Sequence, residues 1–321
     1  MSYETGTTDT PGNLLALLFN FAGANGWTID DDIADDLKGT ARGALHKNNN
    51  YICFEFTTSQ IELCSARGFT NSSTTLGSHP SSSGTTGLTV EIPTSTIDSY
   101  YFFESDTYIH IVLDLDGDHF RHFGFGDSIK FGTWTGGEYS YGHYWLSAGN
   151  GNAANLNNSG NEGSIGTYTR IFGTKVGGAA LPGANNASSK WGMCNDLTTN
   201  NKAIGADGDA VARNELINLS SPKGGISGGI LSLAVSEHNG FVPLMPLQYA
   251  LRDTSTAPDN FYFLGTYPDV RAVSLHALNP GQEYAIDTDI WVVFPITRKD
   301  YVSGITQCSY DQGIAYRKVT T

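Results

Sequence analysis

The clearest alternation of apolar and polar residues begins at Ile109, where branched apolar side chains occupy every second position as far as Leu115. A period of two places these side chains on one face of a strand. The Asp116-Gly117 pair that follows predicts a tight hairpin with a type I′ turn, because glycine adopts positive φ without steric cost. The return strand is predicted over 119–125. This stretch, continued to Trp145, is predicted to be the hub of the core.

Aromatic rings alternate with glycines beyond the return strand, a pattern that suits a twisted antiparallel sheet in which each ring covers a neighbouring backbone. We therefore predict that Trp134, Tyr141 and Trp145 are buried in the same core as Ile109, Ile111 and Leu113. The rings of this part of the hub are Phe131, Trp134, Tyr139, Tyr141, Tyr144 and Trp145.

One segment has a sustained helical pattern. Thr10 or Asp9 can cap it, Pro11 suits its first turn, leucines recur with helical spacing from Leu14, and Asn25-Gly26 ends it. A second segment, 209–219, is predicted to form about two helical turns.

Short strands are predicted elsewhere. Residues 51–56 and 60–64 form a hairpin, 88–92 and 100–104 resume the alternation, and Asn239-Gly240 marks a further hairpin. Two prolines should keep 241–251 at a sheet edge. The continuous apolar run 290–295 predicts a strand buried on both faces, and 313–321 a final strand.

The predicted fold is mainly β, all-β or α+β, with antiparallel hairpins in a sandwich-like or barrel-like body, a short N-terminal helix and long polar loops. Residues 1–146 form the helix with a first β region, 147–222 a loop-rich insertion or arm, and 223–321 a second β region that packs on the first, as one continuous domain if the two share a core. Loops are predicted at 66–87 and at Ser147 to Gly166, the latter as an arm that reaches a neighbouring subunit.

The net charge of the chain argues against two classes of binding partner. Eighteen Lys and Arg against 32 Asp and Glu give a formal charge of −14, which argues against binding nucleic acid or an anionic membrane, since both need a basic surface. No segment approaches the roughly 20 apolar residues of a membrane span, and Met1 leads into polar residues and not into a signal region. We therefore expect a cytoplasmic protein.

Several histidines and aspartates lie close together in the hub, and such residues are potential metal ligands. His110 and Asp114 should share the strand face opposite the isoleucines, whereas His119 and His122 differ in parity and should point to opposite faces. Polar faces and aromatic stacking are therefore favoured over a joint site that also takes in Asp116, Asp118 and His143. The DLDGD run resembles the start of a calcium loop, but Phe125 stands where that loop needs a glutamate.

Other candidate chemistry has an ordinary explanation. The aspartate cluster at 30–36 is typical of a solvated acidic loop, and the glycines at 224–229 lack the Lys-Ser/Thr ending of a phosphate loop. Cys53, Cys64, Cys194 and Cys308 suit reduced structural thiols, although Cys53 and Cys64 lie in consecutive strands and could meet. No nucleophile elbow or zinc motif occurs. We assign no catalytic, cofactor-binding or metal-binding residue.

Five segments together resemble a family of virion structural proteins of tailed bacteriophages and prophages: 6–29, 51–64, 103–145, 267–299 and 313–318. The resemblance covers most of the chain except the loops 66–87 and 147–222. It implies a non-enzymatic subunit of the tail or of the neck and collar, which assembles as repeated copies, such as a homo-oligomeric ring, with other virion proteins in the host cytoplasm. It implies no cofactor and transfers no catalytic residue.

Two other functions remain open. A tail-tip or fibre adhesin would stack Trp134, Tyr139, Tyr141 and Trp145 on the sugar rings of host-surface glycans, in which case these rings should face solvent. A glycan-cleaving enzyme would require two facing carboxylates in a cleft, and nothing in the sequence singles out such a pair.

Overall fold

A computed structural model describes residues 2–31, 41–48, 50–57, 60–66, 68–71, 74–75, 78–80, 88–91, 97–132, 139–143, 145–147, 169–171, 191–193, 214–218, 242–253, 260–295, 298–299 and 312–318. Antiparallel strands dominate this part of the chain, with one short helix, so the predicted mainly β class is confirmed. The strands stack as sheets, and within the described residues no sheet closes into a barrel.

Helix α1 spans Pro11–Ala24 and follows the predicted signals. The Thr10 hydroxyl caps it by accepting from the Asn13 N–H at 3.2 Å. Asn25 ends the helix, and Gly26 follows with φ 79°. Among the described residues no helix is both long enough and apolar enough to cross a membrane.

The strands, in chain order, are β1 (Ser2–Thr8), β2 (Thr28–Asp31), β3 (Ala41–Lys47), β4 (Asn50–Thr57), β5 (Gln60–Ala66), β6 (Leu88–Glu91), β7 (Ile97–Ser105), β8 (Tyr108–Asp114), β9 (Phe120–Asp127), β10 (Ile129–Lys130), β11 (Tyr139–His143), β12 (Trp145–Ser147), β13 (Thr169–Ile171), β14 (Trp191–Met193), β15 (Asn214–Asn218), β16 (Met245–Asp253), β17 (Asn260–Ser274), β18 (Glu283–Ile286), β19 (Asp289–Pro295) and β20 (Gln312–Lys318).

Three large sheets contain nearly all of these strands. The N-terminal sheet runs β2-β3-β4-β5-β6, the central sheet β1-β7-β8-β9-β11-β14, and the C-terminal sheet β15-β16-β17-β20-β19-β18, with β10 also paired to β17. Strands β12 and β13 form a separate pair. Because β10 follows β9 directly, it carries the chain from the central sheet to the C-terminal sheet.

The central sheet is covered on both faces. Ile109, Ile111 and Leu113 of β8 pack into one core with α1 and the N-terminal sheet, whereas Tyr108 and Val112 pack into a second core with the C-terminal sheet. Every residue of β8 is buried. The prediction that this stretch is the hub of the core is confirmed for its two hairpin strands.

The hairpin between β8 and β9 is confirmed, but its predicted type I′ turn is wrong. The loop is longer than two residues, since the Leu115 N–H bonds to the His119 carbonyl, and only Gly117 has positive φ. The Asp114 carboxylate explains the difference, because it accepts the N–H groups of Asp116 and Gly117 at 3.3 and 2.7 Å. Such side-chain bonds stabilise an alternative to the two-residue turn.

Two predictions for the later chain need correction. Part of the predicted helical segment 209–219 is β15, because pairing along β16 outweighs its weak helical preference. Strand β16 lies between β15 and β17, not at an edge. However, β15 reaches only Tyr249–Asp253, so the half of β16 with Pro246 pairs with β17 alone, where the register shifts.

Most of the remaining strand predictions are confirmed. Hairpin β4–β5, the strands at β6 and β7, and the buried run Trp291–Pro295 of β19 are confirmed, and β20 confirms a final strand. Phe131, predicted among the core rings, is 39% exposed, because it lies past the end of the short strand β10, where Ile129 and Gly132 are exposed as well. Asn239-Gly240 and the arm 147–166, apart from Ser147, lie outside the described residues.

Candidate functional site

A group of polar side chains lies between the central and C-terminal sheets, and we call it the inter-sheet cluster: His110, His122, Tyr108, Tyr267 and Tyr316. His122 is in register with Val112 on β8, which puts both histidines on the face opposite the isoleucines, as predicted for His110. All five side chains are almost completely buried. Because side chains alternate between the two faces of a strand, these polar groups lie in the second core.

His122 bridges two strands of the C-terminal sheet. Its Nε2 lies 2.8 Å from the Pro295 carbonyl oxygen, and its Nδ1 lies 2.8 Å from the Tyr316 hydroxyl. A carbonyl oxygen only accepts, so Nε2 carries the proton and the Tyr316 O–H donates to Nδ1. The His122 and Tyr316 rings also stack, 5.8 Å apart and 10° from parallel.

His110 makes the equivalent bond to a different strand. Its Nε2–H donates to the Pro268 carbonyl at 2.8 Å, beside Asp269, which has a φ of 52° in the middle of β17. Few residues other than glycine adopt this conformation, so β17 is irregular here. His110 provides a hydrogen-bond donor for a carbonyl at that irregular point.

Both imidazoles are neutral at pH 7. Burial lowers the pKa of His110 to about 3, against a smaller opposite effect of the Pro268 carbonyl. Burial likewise lowers the pKa of His122 to about 3, with a further contribution from the nearby Arg121 charge. Burial raises the pKa of Tyr316 well above its ordinary value. The cluster therefore holds one protonation state over the physiological range.

The chemistry open to the cluster follows from its burial. A His–Tyr pair could transfer a proton, but general acid-base catalysis requires contact with a substrate, and His110 and Tyr316 have no exposed surface. Each polar atom discussed above is bonded across the interface between two sheets. These bonds fasten the two sheets together.

The aspartate turn, residues 114–118, is a second polar site. Arg298 holds the Asp116 carboxylate with two bonds of 3.2 and 2.5 Å, and the Lys299 N–H bonds to Asp118 at 3.2 Å. Burial acts to raise the pKa of Asp116, but the bonds and charge of Arg298 outweigh it and hold the pKa below its ordinary value. The Arg298 side chain, which follows β19 of the C-terminal sheet, thus pairs with the turn.

The residues weighed as metal ligands do not converge. In the described part of the chain no three His, Cys, Asp or Glu side chains are placed to share a metal ion. His119 contacts Arg121 at 2.6 Å, and His110 and His122 face proline carbonyls. Of the acidic cluster, Asp30 bonds to His46 at 2.7 Å, while residues 32–36 lie outside the described residues, as does the side chain of His143.

The two cysteines that could meet do lie opposite each other, since Cys53 of β4 is in register with Cys64 of β5. Cys53 is a buried free thiol. The side chains of the other three cysteines lie outside the described residues.

The aromatic part of the hub is described only in part. Ile109, Ile111 and Leu113 are buried as predicted. Trp134 lies outside the described residues, and only the backbones of Tyr141 and Trp145 are described, in β11 and β12. Their burial stays a prediction.

One joint was not identified from the sequence. The Lys47 ammonium bonds to the carbonyls of Asn25 and Asp106, lies 3.4 Å from a carboxylate oxygen of Glu104, and sits 5.7 Å from the centre of the Trp27 ring. It thereby connects the N-terminal sheet, the end of α1 and the β7–β8 hairpin. Nothing in the local pattern around Lys47 distinguishes it from a surface lysine.

Comparison of the chain with protein-family models gave no match, and a search of curated proteins gave no significant similarity.

Proposed function

We propose that this chain is a non-enzymatic structural subunit of a tailed-phage virion, which assembles as repeated copies in the tail or in the neck and collar. The observation that carries the proposal is the resemblance of the segments 6–29, 51–64, 103–145, 267–299 and 313–318 to virion structural proteins of this kind. The proposed partners are other virion proteins and further copies of the same chain.

The packing supports this proposal. Those segments supply α1, β4, β8, β9, β19 and β20, which build the two cores on either side of the central sheet. The polar groups that could suggest chemistry, His110, His122 and Asp116, are all engaged in fastening one part of the fold to another. A subunit of a particle needs such rigidity more than it needs an accessible cleft.

The proposal is tested by locating the chain in whole particles. A tagged copy should appear at a repeated, symmetric position in the tail or neck when particles are imaged.

Deleting 149–160 should leave the isolated chain folded but reduce particle yield, because the arm would lose its contact with a neighbour. A variant with the same residues in scrambled order is the matched control for length and composition. Normal yield from the deletion would count against the arm, and absence from particles against the whole proposal.

A second candidate is a glycan-binding adhesin, which the 39% exposure of the Phe131 ring favours. Exposed aromatic rings are the surfaces on which sugars stack. Trp134→Ala and Trp145→Ala distinguish the candidates. For a structural core each change should cost ~3–5 kcal/mol of stability, whereas an adhesin would keep its melting temperature and lose binding to host-surface glycans.

A further inference from the structure

The two faces of the central sheet are held by different chemistry. Toward α1 and the N-terminal sheet, the packed core is made of apolar side chains, including Leu18, Phe54 and Ile111. Toward the C-terminal sheet, two neutral imidazoles stand among the apolar groups and bond directly to the opposing sheet. Among the described residues, the imidazoles that bond from one sheet to another lie in the second interface, and they take up protons near neutral pH once they reach water.

We propose that the interface between the central and C-terminal sheets is an acid-labile joint, which separates at mildly acidic pH before the interface on the other face of the central sheet does. The proposal is independent of the virion function proposed above. It rests on the placement of His110 and His122, which lie on neighbouring strands and bond to three different strands of the opposing sheet, β17, β19 and β20.

Acid favours the separated state because protonated imidazoles would be destabilised in the closed joint. A second proton on His122 would turn Nδ1 from an acceptor of the Tyr316 O–H into a donor and would add a charge near Arg121. The ring of His110 lies between Tyr108 and Tyr316, 4.5 and 5.5 Å from their ring centres. Within the described part of the chain, Tyr267 also packs here, against Tyr108, and none of the three tyrosines supplies a negative charge at acidic pH.

A carboxylate on the same strand face is already engaged. Asp114 lies at the end of β8 and accepts the N–H groups of Asp116 and Gly117. Burial raises the pKa of Asp114, so acid weakens its negative charge in the range where the histidines would need it.

The size of the effect follows from proton linkage. In water each imidazole has a pKa of 6.5, whereas in the closed joint the pKa is about 3. The closed state is therefore fully favoured above pH 6.5 and loses its advantage as pH falls from 6.5 towards 3. At pH 5 each exposed imidazole favours separation by a factor of about 30, so two favour it by about 10³.

Thiol labelling distinguishes the two interfaces. Val112 and Ile111 are neighbours on β8 that face the joint and the apolar core respectively, so Val112→Cys and Ile111→Cys form a matched pair. In the full chain, a disulfide reagent active in acid should label the first thiol about 10³-fold faster at pH 5 than at pH 7, after correction for thiol ionisation and for labelling of the parent chain. The second thiol should show a much smaller acceleration. Equal acceleration at both positions, or none at Val112→Cys, would overturn the proposal.

The histidines are tested directly in two ways. Glutamine keeps an N–H donor and does not titrate, so H110Q/H122Q in the Val112→Cys background should abolish the acceleration. Imidazole nuclear magnetic resonance of the parent chain does not depend on that variant folding. While the joint is closed, both rings should be neutral with the proton on Nε2, and they should take up protons only at pH values where Val112→Cys is labelled faster. A titration midpoint near 6.5 for either ring, without faster labelling at that pH, would show that the joint is not built as proposed.

Discussion

Glycine substitutions can separate two sources of stability in the central and C-terminal sheets, namely backbone conformation and close packing. Gly117 has φ 86° and open space around a built Cβ, so Gly117→Ala tests backbone conformation alone. Gly313 lies outside the positive φ region, but a Cβ there would lie 2.5 Å from the Phe294 carbonyl oxygen. Gly126 combines positive φ with crowding. Its φ is 138°, and an added Cβ would lie 2.6 Å from the Tyr108 Cα and closer still to the Thr107 carbonyl oxygen.

The expected losses follow from these geometries. Positive φ costs an L-residue roughly 1–2 kcal/mol, partly offset by the reduced freedom of the unfolded chain, so Gly117→Ala should lose about 1 kcal/mol. Crowding a packed site costs roughly 1–3 kcal/mol, and the obstacle at Gly313 is backbone, which places Gly313→Ala near 3 kcal/mol. Gly126→Ala combines both effects and should lose about 4 kcal/mol or more, a large share of the ~5–15 kcal/mol of a typical domain.

Urea unfolding of the three variants and the parent measures these losses as shifts of the midpoint at constant slope. The order should be Gly117→Ala, then Gly313→Ala, then Gly126→Ala as the most destabilised. The reasoning is refuted if Gly126→Ala unfolds within about 1 kcal/mol of the parent, because a methyl group would then fit where the structure has a neighbouring strand.

Other substitutions test the joints between layers. Lys47→Met should lose about 2 kcal/mol, because it leaves Glu104 buried without this cation, whereas Lys318→Met breaks a pair with the exposed Glu283 and should lose less than about 1 kcal/mol. Leu18→Ala empties part of the apolar core and should lose ~2–5 kcal/mol, against about 1 kcal/mol for the partly exposed Leu17→Ala on the same helix. Thermal melting of each pair checks both comparisons, and equal shifts within either pair would contradict the burial assigned to its members.

Local patterns were enough to predict the elements that depend on local structure. Helix α1 has its cap, its stripe and its stop within sixteen residues, from Thr10 to Asn25, and β8 shows its period of two directly. Strand β15 was not predicted, since its state depends on β16, about thirty residues further along the chain. The turn at Asp116-Gly117 failed for a related reason, because the Asp114 side chain competes with the backbone for the same N–H groups.

The candidate site was predicted in part. Strand parity placed His110 opposite the isoleucines, and the expected aromatic stacking agrees with the tyrosine rings that contact it. Its partner Pro268 lies 158 positions away along the chain, and a carbonyl oxygen has no sequence signature. The same holds for Arg298 on the aspartate turn and for Lys47. A single sequence does not show which of its donors and acceptors, distant along the chain, will pair.

The position of β20 has a consequence for synthesis. This strand, Gln312–Lys318, pairs on one side with β17 and on the other with β19, so a strand made after both of its neighbours completes the middle of its sheet. Domains fold from the N-terminus as the chain emerges, and until residue 318 is made, β17 and β19 both present unpaired edges and apolar side chains. Unpaired edges recruit other chains. Nascent chains of this protein should therefore be most prone to aggregation just before β20 is made, when chaperones would have the most to protect.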